Sequence, residues 1–327
     1  MQIRMFWVTA MVACSAVDLL AQGPTVVALC PDPWCAVIAS TGNLYFTSSM
    51  AEEFGPDSAS FYRTSKTATV GGEGLLYQET GDRPGAYYFG KPVWAYTSGT
   101  YYGYFAANYS DFGVYTSQIK RVPLAGGSAV TIGYPPGYIG SKDLVTDGLR
   151  LYWADATGIR SMPIAGGAIA TLVSSHGTAL FLIGGVDADY LYYSVGSLIR
   201  QVPKSGGASA TLITAPHVVT AIYAHAGSVT TIHWGEKDGA VRSLDGYLTL
   251  THVGPNPGRN VTSVGFDGAR MLWIDCAQPG DYSCDVKVKD SAGIRVVSSG
   301  CARRGNLQWD AASMYWAGGG AIHRYVY

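Results

Sequence analysis

The chain has 327 residues, room for one large domain or two average ones, and 48% of them are hydrophobic, enough for a sizeable core and against a disordered chain. Lys and Arg number 22 against 23 Asp and Glu, and no basic run occurs, which excludes a surface built to neutralise nucleic-acid phosphates. Gly reaches 42 residues and Tyr 23 while charged residues are only 14%, a mixture suited to many short strands joined by tight turns.

Residues 1–21 read as an export signal. Arg4 supplies the positive end, Met5 to Ala13 form an apolar run too short to span a bilayer as a helix, and cleavage fits after Ala16 or Ala21. Met11-Val12-Ala13-Cys14 loosely resembles a bacterial lipobox, so a lipid anchor on Cys14 is the alternative. No other segment is apolar and long enough for a transmembrane span. The expected location is secreted or in the cell envelope, in the periplasm or on the outer surface.

Pro24 to Cys30 is a β-branched strand with no repeat of its own. Aromatic strands then recur along the chain: Leu44-Tyr45-Phe46, Tyr101-Tyr102, Leu151-Tyr152-Trp153, Leu191-Tyr192-Tyr193, Ile232-His233-Trp234, Met271-Leu272-Trp273 and Met314-Tyr315-Trp316. A turn signal precedes most of them, as Asp147-Gly148, Asp187-Ala188, Asp267-Gly268 and Asp310-Ala311, and in variant form as Ser40-Thr41-Gly42 and Thr97-Ser98-Gly99. Asp at such a turn bonds its own backbone, so these carboxylates are read as structural. After the aromatic strand, Ile119 to Gly127, Ile159 to Gly167 and Ile199 to Gly207 align without gaps at a spacing of 40 residues, each with Pro and a closing Gly-Gly. The glycines supply the positive φ of a hairpin turn, and Pro is tolerated where the ladder stops.

The unit is therefore strand, tight turn, aromatic strand, loop, strand ending in Pro-x-x-Gly-Gly, and a last strand. Four strands per 40 to 45 residues is the signature of a propeller blade. Seven aromatic strands fit about 305 mature residues as seven blades of about 44, whereas six blades, the alternative, would need about 51 each. The last copy stops one strand short, and Pro24 to Cys30 supplies that strand by pairing with Ala321 to Tyr327, which removes an open edge. The fold class is all-β, a seven-bladed propeller over residues 24–327, expected as a monomer.

Leu151-Tyr152-Trp153-Ala154-Asp155, followed by Ile159 and Gly166-Gly167, resembles the blade of YWTD-type propellers. The repeat resembles still more an exported bacterial group with the unit V-D-x-x-x-V-Y-W…V-x-x-V-P-x-x-G-G-x-x-x-T-L. YWTD propellers usually have six blades, so seven departs from that group. The resemblance covers the mature chain and speaks to fold, because propellers host lectins, lyases, lactonases and scaffolds alike.

Beyond Cys14, the cysteines are Cys30, Cys35, Cys276, Cys284 and Cys301. Their spacings miss zinc knuckles, so disulfides are expected in an oxidising compartment. Cys276 pairs with Cys284 across a Pro-Gly loop, and Cys301 pairs with Cys30 or Cys35 unless those two pair locally. Lys120, Arg160, Arg200 and Arg242 recur on the third strand and are expected to point to solvent.

No nucleophile elbow, phosphate loop or dinucleotide fingerprint occurs, so no catalytic residue is assigned and binding is favoured over catalysis. The six histidines lack metal-helix spacing, so no metal ligand or cofactor is assigned, with a divalent metal left open. The least repetitive residues lie in the blade-to-blade joins and the loops after the aromatic strands, on one face: Tyr134, Tyr138, His176, His217, Glu236 and Arg259, with Lys237 and Asp238 beside them. These are the expected ligand-binding residues, presented to a glycan, peptide or protein partner. The alternative is an enzyme resembling propeller lyases or lactonases, with its site at the mouth of the central channel.

Overall fold

The computed structural model describes residues 24–30, 36–40, 42–50, 58–68, 70–80, 86–111, 114–139, 144–174, 181–277, 284–302, 307–318 and 321–327. The proposed signal, Cys14, Cys35 and His176 lie outside them. All regular structure among the described residues is β-strand, in seven separate antiparallel sheets. The chain is a seven-bladed β-propeller.

Blades 1 to 6 follow in chain order, each running from an inner to an outer strand. In blade 3 these are Val145–Thr146, Arg150–Asp155, Gly158–Pro163 and Ala170–Ser174, and in blade 5 Val219–His225, Thr231–Glu236, Val241–Asp245 and Leu248–Val253. Blade 7 takes its outer strand from the other end of the chain. Thr25–Leu29 lies antiparallel to Ala321–Val326, with Thr25 opposite Arg324 and Leu29 opposite Ala321. The ring is thus closed as the repeat requires, and Val27 and Ala28 are buried in the process.

The turns of the repeat lie together on one face. The N–H of Gly126, Gly166 and Gly206 donates to the carbonyl of Pro123, Pro163 and Pro203, and both glycines of each pair hold a positive φ, 97° and 123° at Gly166 and Gly167. Any side chain would be strained there. Between first and second strands, Asp147 Oδ1 accepts from the N–H groups of Leu149 and Arg150 at 2.9 and 2.8 Å, while Oδ2 accepts from Tyr152 Oη and from Lys204 Nζ of the next blade. Asp187 and Asp310 repeat the scheme, with Thr230 and Lys66 as the neighbouring blade's donors. Burial alone would raise the Asp147 pKa, but Lys204, two N–H groups and Tyr152 hold it at about 2. The Asp turns are structural, and those of Asp147, Asp187 and Asp310 also latch adjacent blades together.

The aromatic strands pack between sheets. Trp153, Trp234, Trp273 and Trp316 are all fully buried, and each contributes on the order of 2–3 kcal/mol of apolar burial. Blade 2 departs from the expected alignment. Its core rings are Tyr104 and Phe105, while Tyr101 is exposed. The two-residue turn at Ser98 and Gly99, both with positive φ, lets the hairpin pair up to Thr97 and Thr100. The ladder has five pairs where that of blade 3 has two, and the core positions fall further from the turn.

The third-strand cations also depart from expectation. Side chains of Lys120, Arg160 and Arg242 are only 12 to 15% exposed. Arg160 stands opposite Trp153, Arg242 opposite Trp234 and Lys287 opposite Trp273. In each case an acid two residues beyond the Trp lies on the same face and on the diagonal: Asp155, Glu236 or Asp275. The resulting ion pairs measure 3.6, 2.8 and 2.9 Å.

Candidate functional site

The first strands of all seven blades line a central cavity of about 770 Å³. Most of its lining is small or apolar, with Gly184, Gly185, Ala221 and Ala224 among the contributors. Near the Asp-turn end, Trp309 reaches over Gly265, where a Cβ would sit 2.2 Å from its ring, and meets Tyr223 edge to face at 4.9 Å. The channel holds no convergence of three carboxylate or histidine donors among the described residues.

That convergence occurs at the opposite rim, on blade 5. His217 lies in the join just before the inner strand, Glu236 ends the second strand and Asp238 sits in the loop that follows. One donor atom from each lies within 4.8 Å of the others. His217 Nδ1 is 3.4 Å from Glu236 Oε2 and 3.0 Å from Asp238 Oδ2. The Glu236 side chain is fully buried, whereas that of His217 is 53% exposed.

Local backbone structure fixes these positions. Lys237 N–H donates to the Val218 carbonyl at 2.9 Å, tying the loop to the join. Gly239 N–H closes the turn onto the Glu236 carbonyl at 3.0 Å, and Asn256 N–H bonds the Asp238 carbonyl at 2.7 Å. Gly239 holds φ +86°, and a Cβ there would meet Arg259 Cβ and the Asn256 carbonyl at 3.1 Å. The side chains are held as firmly. Glu236 Oε1 accepts from Arg242 Nε at 2.8 Å and Trp234 Nε1 at 2.9 Å, and Asp238 Oδ1 accepts from Ala240 N–H at 3.1 Å. Glu236 Oε2 and Asp238 Oδ2 are buried and accept no hydrogen bond.

Arg259, at the start of blade 6, is adjacent to this loop but already engaged. Its Nη2 donates to the Asp275 carbonyl, Asp275 Oδ1 and Asp285 Oδ2 at 2.8, 2.7 and 2.8 Å. These carboxylates overcome burial and raise the guanidinium pKa. The disulfide Cys276–Cys284, with Cα atoms 4.0 Å apart, staples the same end of blade 6. Cys30 is also disulfide-bonded, to a cysteine whose side chain lies outside those described; the role of Cys301 therefore stays an expectation.

The tyrosines form a separate group. Tyr138 packs edge to face against Tyr88 at 5.8 Å and Tyr115 at 5.4 Å, on the join between blades 2 and 3, and burial pushes its pKa up to about 12. Tyr134 stands 71% exposed nearby in sequence, and Tyr115 is 57% exposed. Of the residues singled out in the sequence, His217, Glu236 and Asp238 come together with Arg259 beside them, and Tyr134 and Tyr138 lie elsewhere on the join face. The acid-cation pairs of blades 3 and 6 were not singled out, although the Trp-x-Asp spacing at 153–155 and 273–275 repeats in the sequence.

No family model matches the chain, and no curated protein matches it. Solved structures resemble it in fold. A chain of the mitotic checkpoint complex is 9% identical, covers 96% of this chain over 97% of its own length and has a TM-score of 0.62. A prolyl endopeptidase is 11% identical over 89% of this chain, with a TM-score of 0.58; the present chain spans only 49% of it. A TolB-type protein from Agrobacterium tumefaciens is 12% identical over 78% of this chain and 92% of its own, at 0.48. The first two likenesses show the propeller fold. The YWTD and Pro-x-x-Gly-Gly likeness has no family model behind it and remains a resemblance between repeats.

Proposed function

We propose that this is an extracytoplasmic binding protein that presents its join face, centred on blade 5, to a glycan, peptide or protein partner. The observation that supports this reading is the contrast between equivalent acids. In blade 6 both Asp275 oxygens are taken, by Arg259 and Lys287, and in blade 3 Asp155 Oδ1 accepts two bonds from Thr157 while Oδ2 faces Arg160. Blade 5 alone of the three leaves an acid oxygen facing an exposed histidine and adds a second carboxylate. Fold maintenance does not require that difference. On the Asp-turn face Asp147, Asp187 and Asp310 are used by backbone, Tyr and the next blade, and Asp267 by backbone and Arg270 of its own blade.

The exposed Tyr134 and Tyr115 favour a glycan, whose sugar faces stack on rings, over a charged peptide. A second reading is favoured by the His217–Glu236–Asp238 geometry itself. An imidazole between two carboxylates is also the equipment of a general base, and it would make the rim a lyase-like or lactonase-like site.

Glycan and peptide arrays test the proposal with two sets of variants. Tyr134→Ala with His217→Ala and Asp238→Asn should abolish binding, while Leu149→Ser with Val229→Ser on the Asp-turn face should leave it intact. Arg259 is left untouched, because its removal takes one of the two cations from the buried Asp275 carboxylate and lowers stability on its own account. Binding that survives the first set and is lost with the second would refute the assignment of the face.

A further inference from the structure

The blade 5 rim carries chemistry that recognition of a partner does not by itself require. We propose that His217 Nδ1, Glu236 Oε2 and Asp238 Oδ2 bind one divalent transition cation of the Zn²⁺ or Mn²⁺ class.

Three features of the geometry lead there. First, each carboxylate is oriented through one oxygen and leaves the other free. Arg242 and Trp234 hold Glu236 Oε1, and the Ala240 N–H holds Asp238 Oδ1. Partners of this kind orient ligand side chains and set their basicity in metal sites. Second, the free oxygens are buried without a hydrogen-bond donor, and Glu236 is wholly out of solvent. A buried carboxylate oxygen left so is costly unless a cation meets it. His217 Nδ1 is within reach of both, yet no hydrogen-bond geometry links it to either. Third, the spacing suits coordination. Metal–ligand bonds of about 2.0–2.2 Å place neighbouring donors about 3 to 3.5 Å apart. His217 Nδ1 stands 3.0 and 3.4 Å from the two oxygens.

The donor set selects the ion. Ca²⁺ and Mg²⁺ prefer shells of oxygen alone, whereas one imidazole with two carboxylates suits Zn²⁺ or Mn²⁺. Three protein donors leave at least one coordination position open, the hallmark of a site that binds a water or a ligand oxygen rather than a closed structural one. The half-exposed His217 places that position at the solvent side of the join face. Blades 3 and 6 lack the set. Asp155 gives Oδ1 to Thr157 and its Oδ2, though it accepts no hydrogen bond, already faces the Arg160 cation at 3.6 Å. Asp275 is held by Arg259 and Lys287, and no three such donors converge at either acid among the described residues.

The test needs no partner, so its outcome is separate from that of the array experiment. Chelator-stripped protein is titrated calorimetrically with ZnCl₂, MnCl₂ and CaCl₂, and metal content is measured after dialysis. The expected result is one Zn²⁺ or Mn²⁺ per chain, a raised melting temperature in its presence, and little response to Ca²⁺. Asp238→Asn and His217→Ala should each lose stoichiometric uptake while keeping the circular dichroism and metal-free melting temperature of the parent. The proposal is overturned if the parent binds neither Zn²⁺ nor Mn²⁺, or if both variants still bind.

Discussion

His233 occupies the position that Tyr152, Tyr192 and Tyr315 hold in other blades, but in blade 5 the turn carries no Asp to receive a phenol. It stacks instead on Phe266 at 4.6 Å, with Tyr223, His225 and His252 around it, and burial ahead of the two neighbouring imidazoles pushes its pKa down to about 3 from 6.5. Because the folded value lies below the unfolded one, the neutral ring stabilises the fold fully above pH 6.5, and that contribution is lost as pH falls toward 3. The loss is on the order of a few kcal/mol. The melting temperature should therefore be flat above pH 7 and fall steadily below it. His233→Phe, which keeps the stack, should flatten part of that fall, with His252 and His323, both also depressed by burial, supplying the remainder. An unchanged pH profile in this variant would remove His233 from the account. At this scale the Asp turns were readable, since one offset recurs four times and one physical role explains it. The cations were not, because alternation assigns a side chain to a face without saying what the diagonal neighbour on the next strand will be.

Among the elements, the hairpin joining Met271–Ala277 to Cys284–Asp290 is the clearest case of sequence specifying contact. Cys276 and Cys284 flank a Pro-Gly loop, and the antiparallel register places them directly opposite each other. Replacing both by Ser should cost about 2.5 kcal/mol, the loop-closure contribution for so short a separation, and differential scanning calorimetry would read it. No change in stability would mean that the bridge does not constrain the unfolded chain. Blade 2 shows where such reading stops. Its Tyr101-Tyr102 pair matches the aromatic pattern, yet the tight turn at Ser98-Gly99 extends the hairpin and hands the core positions to Tyr104 and Phe105. A repeat defined by composition carries no register when the turn length changes. The rim on blade 5 was legible in part for the opposite reason: His217, Glu236 and Asp238 stood out as departures from the repeat. Their convergence, across 21 residues of chain, depends on the pairing of Val219 with Glu236 that only the sheet supplies.

For the whole molecule, the ring brings distant segments of one chain into a single surface. Lys66 of blade 1 bonds Asp310 of blade 7 at 2.5 Å, 244 residues away, and Thr25–Leu29 completes the same blade from the N-terminal side. Closure holds the seven inner strands around one channel and gives the joins a common face, so the functional proposals depend on it. Opening the ring would expose the edge of Ala321–Val326 and the buried Val27 and Ala28, and deletion of residues 25–29 should abolish cooperative unfolding. Hydrogen-exchange mass spectrometry of the intact protein tests closure most directly. The account predicts that amides of Thr25–Leu29 and Ala321–Val326 exchange as slowly as those of the paired strands in blade 4. Exchange of Thr25–Leu29 at the rate of an unstructured peptide, with blade 4 protected, would contradict it.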